Sequence, residues 1–425
     1  MIQKTYPRLG ETVYWETLPN GLPVCIVPRP GFSKKQCYFV TDYGAIHTHF
    51  MLDGEEVNAP AGIAHYLEHK MFDMPGGEIS GHFAQLGADV NAFTSYDMTA
   101  YYFNCTEHFD EALELLLDFV STPYFTEESV QKEQGIIAQE IEMNADSPDT
   151  AIFENLMGCM YQNHPISVPI LGTRESIAQI TPEILHKCHK AFYAPSNMFL
   201  CVIGDVDPEA VCAIARAHLP KEKAEKVQRV DVWQEETKVQ KHLTQCHMEV
   251  AMPIFQLGFK CPDPGKGEGA VRAEFVADLA AEALFGESSD LYQRLYEEGI
   301  IDSSFGGGFE TVSGMGMLTV SGDSYAPEKV KQALILEAEK ICREGISQER
   351  LLRMKRSAMG RRIRALDSFS SLIFRITAYY FTDFDYFEFP EIYEKIKAAE
   401  LTDFLASAIG EENCALSVIY PVKDE

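Results

Sequence analysis

Apolar residues in this chain fall into short strand-like runs and into longer segments with helical spacing. The apolar runs around Cys37, Cys105 and Cys201 are typical of buried strands. The stretch Glu127 to Asp146 predicts a helix instead, because its aliphatic residues recur at helical spacing, namely Val130, Ile136, Ile137 and Ile141. The pattern therefore predicts a mixture of strands and helices along the whole chain.

The same order of elements occurs twice. The strand Cys37 to Gly44 has a counterpart in Phe255 to Lys260, and SNMFLCVIGDV near residue 200 is echoed by ENCALSVIYPV at the C-terminus. The offset is roughly 215 residues, which indicates an internal repeat. Between these points each half offers a helix, a Gly-rich strand pair and further helices, with Phe305 to Ser321 in the place of Ala88 to Phe103.

The length of 425 residues also suggests two domains. Residues 221 to 245 are rich in Lys, Glu and Gln, as expected of an exposed connector. We therefore predict an N-terminal metal-binding domain over residues 1–220, a linker over 221–247 and a C-terminal repeat without metal over 248–425. The predicted fold class is α+β, with two homologous tandem domains that each pack a mixed, mostly antiparallel sheet against helices.

One motif carries specific chemistry. His65 and His69 lie four residues apart, so on a helix their rings project from one face and can bind a single Zn²⁺. Glu68 lies between them and is the candidate general base, since a bound zinc ion lowers the pKa of its water. The order His-x-x-Glu-His is that of the inverzincins. Two core histidines on an amphipathic helix are the alternative explanation.

A further ligand should come from another helix. Glu133 and Glu140 are two turns apart on the predicted helix, so both can face the same site. Glu142 would turn to another side of that helix. Glutamates on a solvated helix face are the competing interpretation.

The motif and its neighbours resemble a known family. The segment PAGIAHYLEHKMF resembles the active-site helix of the pitrilysin and insulin-degrading-enzyme family of zinc peptidases. The resemblance extends over about the first 205 residues, through Leu18–Val24 as the opening strand, Leu86–Phe103 as the hairpin, the His164-Pro165 and Ile170–Thr173 segment, and Tyr193–Asp205. It implies the LuxS- and processing-peptidase-like fold.

The resemblance also implies roles for individual residues. It makes Glu140 the third ligand of one Zn²⁺ per chain and Glu133 a residue that orients the ligands. It further implies that a substrate peptide adds to the strand VNAFTS as an extra strand, with Asn91 and Ala92 as contacts and Phe93 as a pocket wall. For Phe93 a place in the core is the alternative.

One departure from the family pattern concerns the second half. Family members complete their site with an Arg and a Tyr from the C-terminal domain, which hold the substrate carbonyl. In the matching segment this chain places Tyr296 at the Arg and Asp302 at the Tyr. Either a second subunit that lacks HxxEH supplies the pair, or the alignment is displaced and Arg294 substitutes. The first explanation predicts the catalytic half of a heterodimer, similar to the paired bacterial members.

Composition limits the partners and the compartment. The net charge of −28 excludes nucleic acid as a plausible partner and favours basic peptides, although acidity can also serve solubility alone. The eleven cysteines include no CxxC and read as buried free thiols. The N-terminus lacks an apolar signal core, and no run of eighteen apolar residues predicts a membrane span. We therefore predict a cytoplasmic protein.

Taken together, these features predict a zinc metalloendopeptidase that cleaves peptides or unfolded polypeptides, for instance in processing or leader-peptide maturation. A non-catalytic assembly or peptide-binding subunit, similar to the core proteins of respiratory complexes, is the alternative from another class. A metal-dependent hydrolase of other substrates is a third, against which the peptide-docking strand argues.

Overall fold

A computed structural model describes residues 1–230, 233, 235–313 and 315–422. Within these residues the strands are β1 Ile2–Tyr6, β2 Glu11–Thr17, β3 Pro23–Pro28, β4 Lys35–Thr41, β5 His49–Leu52, β6 Glu55–Asn58, β7 Asp73–Met74, β8 Gly77–Glu78, β9 Asp89–Thr94, β10 Thr99–Cys105, β11 Met198–Gly204, β12 Gln228–Arg229, β13 Leu243–Met248, β14 Ile254–Cys261, β15 Gly306–Val312, β16 Met315–Asp323 and β17 Cys414–Pro421.

The α-helices of the same residues are α1 Ile63–Met71, α2 Ser80–Gln85, α3 Phe109–Ser121, α4 Glu127–Ala145, α5 Pro148–Met160, α6 Arg174–Ile177, α7 Pro182–Phe192, α8 Pro208–His218, α9 Gly267–Phe285, α10 Asp290–Glu297, α11 Pro327–Glu344, α12 Gln348–Ala365, α13 Phe369–Phe381, α14 Phe389–Lys395 and α15 Ala398–Ala408. Short 3₁₀ turns cover Pro165–Ser167, Pro195–Asn197 and Tyr386–Glu388. The predicted helix from Glu127 is confirmed.

The chain divides into two compact units that are not continuous in sequence. The first unit comprises Met1–Ile141, Pro169–Val232 and Ala365–Phe381. The second comprises Glu142–Val168, Trp233–Arg364 and Thr382–Glu425. Helix α5 therefore belongs to the second unit and α13 to the first. The predicted domain boundaries at residues 220 and 247 describe the sequence repeat and stay a prediction. Each compact unit contains segments from both sides of these boundaries.

The first unit is built on a seven-stranded sheet in the order β1-β2-β3-β11-β4-β10-β9. Its main core lies between this sheet and the helices α1, α3, α4, α7 and α8. Strand β9 pairs with β10 and, among the described strands, has no neighbour on its other side. The helix that carries the HxxEH motif packs beside this edge strand.

The second unit repeats the central strands of the first. Its sheet has the order β13-β17-β14-β16-β15, and β13 is parallel to β17 while the other pairs are antiparallel. The segment β3-β11-β4-β10-β9 of the first sheet has the same order and directions. The predicted α+β class with two homologous halves is confirmed.

Aromatic residues cover the other face of the first sheet. Helix α13 packs there on β4 and β11, and Tyr380 stacks on Phe199 at a centroid distance of 4.2 Å. Phe93 of β9 contacts Phe374 of the same helix at 6.0 Å. Because successive side chains of a strand point to opposite faces, this face is the one away from α1.

Two segments differ from the sequence-based expectation. The segment 18–24, predicted as a strand, is mostly the turn between β2 and β3, because Gly21 has a φ of +90° and the Asn20 side chain accepts a hydrogen bond from Leu22 N–H. The segment predicted as linker contains β13, whose alternating exposed and half-buried residues pair with β17.

Two compositional predictions also bear on the structure. All eleven cysteines are free, and nine of them are buried. Across the described part of the chain we find no helix with the length and apolar content that crossing a bilayer requires.

Candidate metal centre

Two glycines fix the start of α1. Gly62, which precedes the helix, has a φ of +89°, and a Cβ atom there would lie 2.4 Å from the carbonyl oxygen of Leu171. Gly172 has a φ of +73°, and its Cβ would lie 2.5 Å from the carbonyl oxygen of Ala61. The Ser176 hydroxyl donates to the same Ala61 oxygen at 2.8 Å. The two segments therefore fit only without side chains at both glycines.

We expect Gly172→Ala to destabilise the protein by about 2 kcal/mol, because the new Cβ meets backbone and the positive φ strains an L-residue. Urea unfolding measures the change. Gly158→Ala is the matched control, since Gly158 lies inside α5 with open space around it, and alanine favours helix there. Equal unfolding midpoints for the two variants would contradict the expectation.

The two histidines of α1 and one glutamate of α4 converge. The Nε2 atom of His65 lies 3.7 Å from one carboxylate oxygen of Glu140, and the Nε2 atom of His69 lies 3.6 Å from the other. One ligand atom from each of these residues lies within 4.8 Å of the other two. Among the described residues, these three side chains form a group of His, Cys, Asp or Glu residues close enough together to hold a metal ion.

The donor set fits a zinc ion. Imidazole nitrogens and carboxylate oxygens are donors that zinc uses in proteins, and one such atom from each residue lies within 4.8 Å of the other two. Burial, with a smaller contribution from His69, lowers the pKa of His65 to about 3, so its imidazole is neutral, the form that binds metals. The other ring nitrogen of His65, Nδ1, is buried and has no hydrogen-bond partner among the described residues.

Glu133 orients the second histidine. Its Oε1 lies 3.0 Å from Nδ1 of His69, on the side of the ring opposite to the nitrogen that faces Glu140. Burial lowers the pKa of His69, but the bond to Glu133 and the nearby carboxylates outweigh burial, and the pKa ends above its ordinary value. A carboxylate on the far nitrogen is the usual support of a metal-binding histidine.

We expect Glu133→Gln to weaken zinc binding about 10- to 100-fold, because the amide orients the His69 ring less firmly than the carboxylate. Competition with a chromophoric chelator measures the affinity. Glu128→Gln, an exposed change in the first turn of the same helix α4, serves as the control. An affinity equal to that of the control would show that Glu133 does not support the ligand.

Glu68 lies on α1 beside the two histidines of the candidate metal centre and is largely buried. Its Oε2 accepts a hydrogen bond from the Thr94 hydroxyl at 2.6 Å. Burial raises the pKa of Glu68, and the bond from Thr94 and the charge of His69 oppose that shift. A carboxylate with a raised pKa beside a metal site is suited to taking and returning a proton.

A buried tyrosine joins the two site helices. Tyr66 is fully buried on α1, and its hydroxyl donates to the carbonyl oxygen of Val130 on α4. The bond fixes α4 where Glu133 and Glu140 face the histidines. Sequence reasoning missed Tyr66, Thr94 and the glycine pair, because their partners are distant in the chain and no spacing rule points to them.

The predicted substrate residues lie on the edge strand β9. Asn91 is exposed, and its Oδ1 accepts a hydrogen bond from the Ala92 N–H at 2.8 Å, so that N–H is not used by β10. Phe93 faces the side of the sheet away from α1, where it contacts Tyr38 and Phe374. Ala92 packs against the core on the α1 side of the sheet, whereas the Phe93 ring lies on the opposite side, against α13. Their roles in substrate binding stay predictions.

Comparisons with known proteins agree with this geometry. Residues 54–174, which include the whole candidate site, match the family Insulinase (Peptidase family M16), and residues 179–358 match the family Peptidase M16 inactive domain. The protein named Uncharacterized zinc protease YmfH of Bacillus subtilis (strain 168) is 36% identical over 426 residues, which cover 98% of this chain and 98% of that protein.

Solved structures show the same likeness. A crystal structure from Alicyclobacillus acidocaldarius, described as an M16-like peptidase, superposes with a TM-score of 0.92 at 31% identity and covers 96% of this chain and 98% of its own. The crystal structure of pitrilysin has a TM-score of 0.81 at 15% identity, which shows the fold alone, and this chain spans 46% of it. Because both halves match M16 families and the identity with the Bacillus protein extends along nearly all of both chains, this chain belongs to peptidase family M16.

Proposed function

We propose that the chain is a zinc-dependent endopeptidase that cleaves peptides or unfolded polypeptides. The observation that carries the proposal is the convergence of His65, His69 and Glu140 beside the buried carboxylate of Glu68. Three such ligands with a carboxylate base beside them are typical of hydrolytic zinc sites. The similarity to a protein named as a zinc protease in Bacillus subtilis supports it.

The three ligands would hold one zinc ion per chain. Two imidazoles and one carboxylate are a donor set that catalytic zinc sites use, and in such sites a further position is left for water or substrate. When bound, the ion supplies a Lewis acid that polarises a peptide carbonyl and makes a water molecule more acidic. Glu133 keeps the His69 ring in its binding orientation through the bond to Nδ1.

Glu68 is the proton carrier in this proposal. Its carboxylate takes a proton from the attacking water and later gives it to the leaving amine, so one group serves as base and then as acid. The Thr94 hydroxyl holds one of its oxygens. Its other oxygen, Oε1, accepts no hydrogen bond from the described residues and is available to water.

A substrate peptide would bind as an additional strand on β9. This edge is unpaired in the described sheet, and its Ala92 N–H now donates to the Asn91 side chain. An incoming peptide carbonyl would take the place of the Asn91 amide. Because the bonds are made by backbone, this mode accepts many sequences. The charge of −28 would favour basic peptides among them.

We further propose that a second family member completes the site. In the second unit Tyr296 is exposed on α10 and stacks on Tyr292, and Asp302 accepts hydrogen bonds from Ser304. Neither offers the pair of donors that an oxyanion needs. Arg294, the alternative donor, lies 3.6 Å from the buried carboxylate of Glu337. These contacts support a heterodimer in which a subunit without HxxEH supplies the Arg and Tyr.

The alternative function is that of a non-catalytic assembly or peptide-binding subunit. The complete ligand set and the buried Glu68 argue against it, since a subunit with no chemistry has no need for them. Processing or leader-peptide maturation, rather than general peptide turnover, and a cytoplasmic location stay predictions from the sequence.

Peptide hydrolysis by the purified, zinc-loaded chain tests the proposal. A labelled basic peptide is offered to the chain alone and to a mixture with a family member that lacks HxxEH and retains the Arg and Tyr, each with and without chelator. Cleavage only in the mixture supports the heterodimer, and cleavage by the chain alone would overturn that part. No chelator-sensitive cleavage in either sample, with peptide still bound, would favour the assembly subunit.

A further inference from the structure

The hydroxyl of Thr94 links the edge strand to the candidate base. Thr94 is the last residue of β9, and its Oγ1 donates to Oε2 of Glu68 on α1 at 2.6 Å. This length is typical of a hydrogen bond to an ionised carboxylate, which is stronger than one between neutral groups. A single bond therefore joins the strand expected to receive a peptide to the group expected to move its proton.

Glu68 depends on this bond for its orientation. Among the described residues, Thr94 is the one side chain that hydrogen-bonds to the Glu68 carboxylate. The neighbouring His69, by contrast, is held by Glu133. Without the Thr94 hydroxyl the Glu68 side chain could adopt other rotamers while the metal ligands stayed in place.

Thr94 is itself held firmly. It lies opposite Thr99 in the β9–β10 ladder, and the two hydroxyl oxygens are 3.4 Å apart. Thr99 is fully buried and donates to the carbonyl oxygen of Tyr43 at 2.9 Å. A β-branched side chain also has few rotamers. The Thr94 hydroxyl is therefore restricted by the register of its strand and by its few rotamers, while its proton goes to Glu68 and that of Thr99 to Tyr43.

Thr94 also shares a strand edge with Ala92. Backbone groups two residues apart in an antiparallel strand point to the same side. The Ala92 N–H points away from β10, because it donates to the Asn91 side chain instead. A peptide that pairs with Ala92 consequently runs along the same edge as Thr94, and its position relative to Glu68 is set by the strand.

We propose that Thr94 is a positioning residue for the peptidase reaction, which holds the Glu68 carboxylate in a fixed relation to a peptide bound on β9. The inference rests on the proposed function. Its consequence is specific: losing the hydroxyl impairs turnover, whereas peptide binding by the strand backbone and metal binding by the histidines and Glu140 continue.

The test compares Thr94→Val, which removes the hydroxyl at nearly constant shape, with Thr94→Ser, which keeps it. The protein is assayed in whichever form cleaves peptide, alone or with its partner. We expect Thr94→Val to lower kcat about 10- to 100-fold, the range for losing a bond to a charged group, with KM and zinc content unchanged. Thr94→Ser should recover most of the rate. Thr5→Val on β1, the opposite edge of the same sheet, is the control.

Three kinetic results would each overturn the inference. These are a wild-type kcat in Thr94→Val, an equal loss in Thr94→Ser and Thr94→Val, or a loss confined to KM. Zinc analysis and urea unfolding of each variant detect a merely structural effect, which would count against positioning. A crystal structure of Thr94→Val adds a readout independent of activity: the Glu68 carboxylate should leave its place beside β9, and an unchanged carboxylate would also overturn the inference. Absence of hydrolysis by the wild type in every form would refute the proposed function instead.

Discussion

Glu68→Gln is expected to abolish measurable peptide hydrolysis while the metal site keeps its zinc. Glutamine has nearly the shape of glutamate but cannot take a proton from water, and loss of a general base lowers kcat about 10²- to 10⁴-fold. The Thr94 hydroxyl can still donate to the amide oxygen of the new side chain, so its orientation is retained. Steady-state kinetics and elemental analysis of zinc on the same sample measure both effects.

The matched control for this prediction is Glu107→Gln, a change of the same chemistry at an exposed position before α3. The control removes the same unit of negative charge from an acidic chain, so it separates a local effect from a general electrostatic one. If Glu68→Gln hydrolysed peptide as fast as Glu107→Gln, the assignment of the base would be wrong. If Glu68→Gln lost zinc as well, Glu68 would contribute to metal binding rather than only to proton transfer.

His69→Ala is expected to remove the metal and with it all activity. The change deletes one of three converging ligands and also leaves Glu133 without the ring that it orients. Two remaining donors make a poor zinc site, so the loss should exceed the roughly 10- to 100-fold effect of a supporting residue. Zinc content after dialysis against a weak chelator measures it, with His82→Ala, an exposed histidine of α2, as the control.

The same zinc measurement on a Glu140 variant tests the third ligand. Glu140→Gln should lose zinc as His69→Ala does, whereas Glu128→Gln on the same helix should not. A fully loaded His69→Ala variant would mean that other groups hold the ion. A Glu140→Gln variant that kept its full zinc content would show that Glu140 is not a required ligand, and Glu133 would then have to be tested in its place.

Local spacing predicted which side chains share a helix face, whereas the pairing of the two helices, with Glu140 as the third ligand, was implied by the family resemblance. The offset of four residues from His65 to His69 is about one helical turn, and the offset of seven from Glu133 to Glu140 is about two, so each pair shares a face of its own helix. The halves of the repeat could also be recognised, because buried strands such as β11 and β17 must be apolar and so resemble one another.

Contacts between distant segments could not be predicted in the same way. Nothing in the periodicity of α13 says which sheet it covers, since any apolar helix face suits any apolar sheet face. The bond from Thr94 to Glu68 depends on the register of β9 beside α1, and the tight fit at Gly172 depends on a backbone more than a hundred residues away. The orientation of Phe93 follows once Thr94 is known to face the site.

The placement of α5 in the second unit and α13 in the first limits how the chain can be divided. The aromatic residues of 369–381 cover one face of the first sheet, although the preceding segment Trp233–Arg364 belongs to the other unit. A fragment cut at the repeat boundary would expose Phe199 and Trp15 to water and would aggregate rather than fold. Deleting the second repeat would therefore also remove α13 from the first unit, so neither repeat forms an independent folding module.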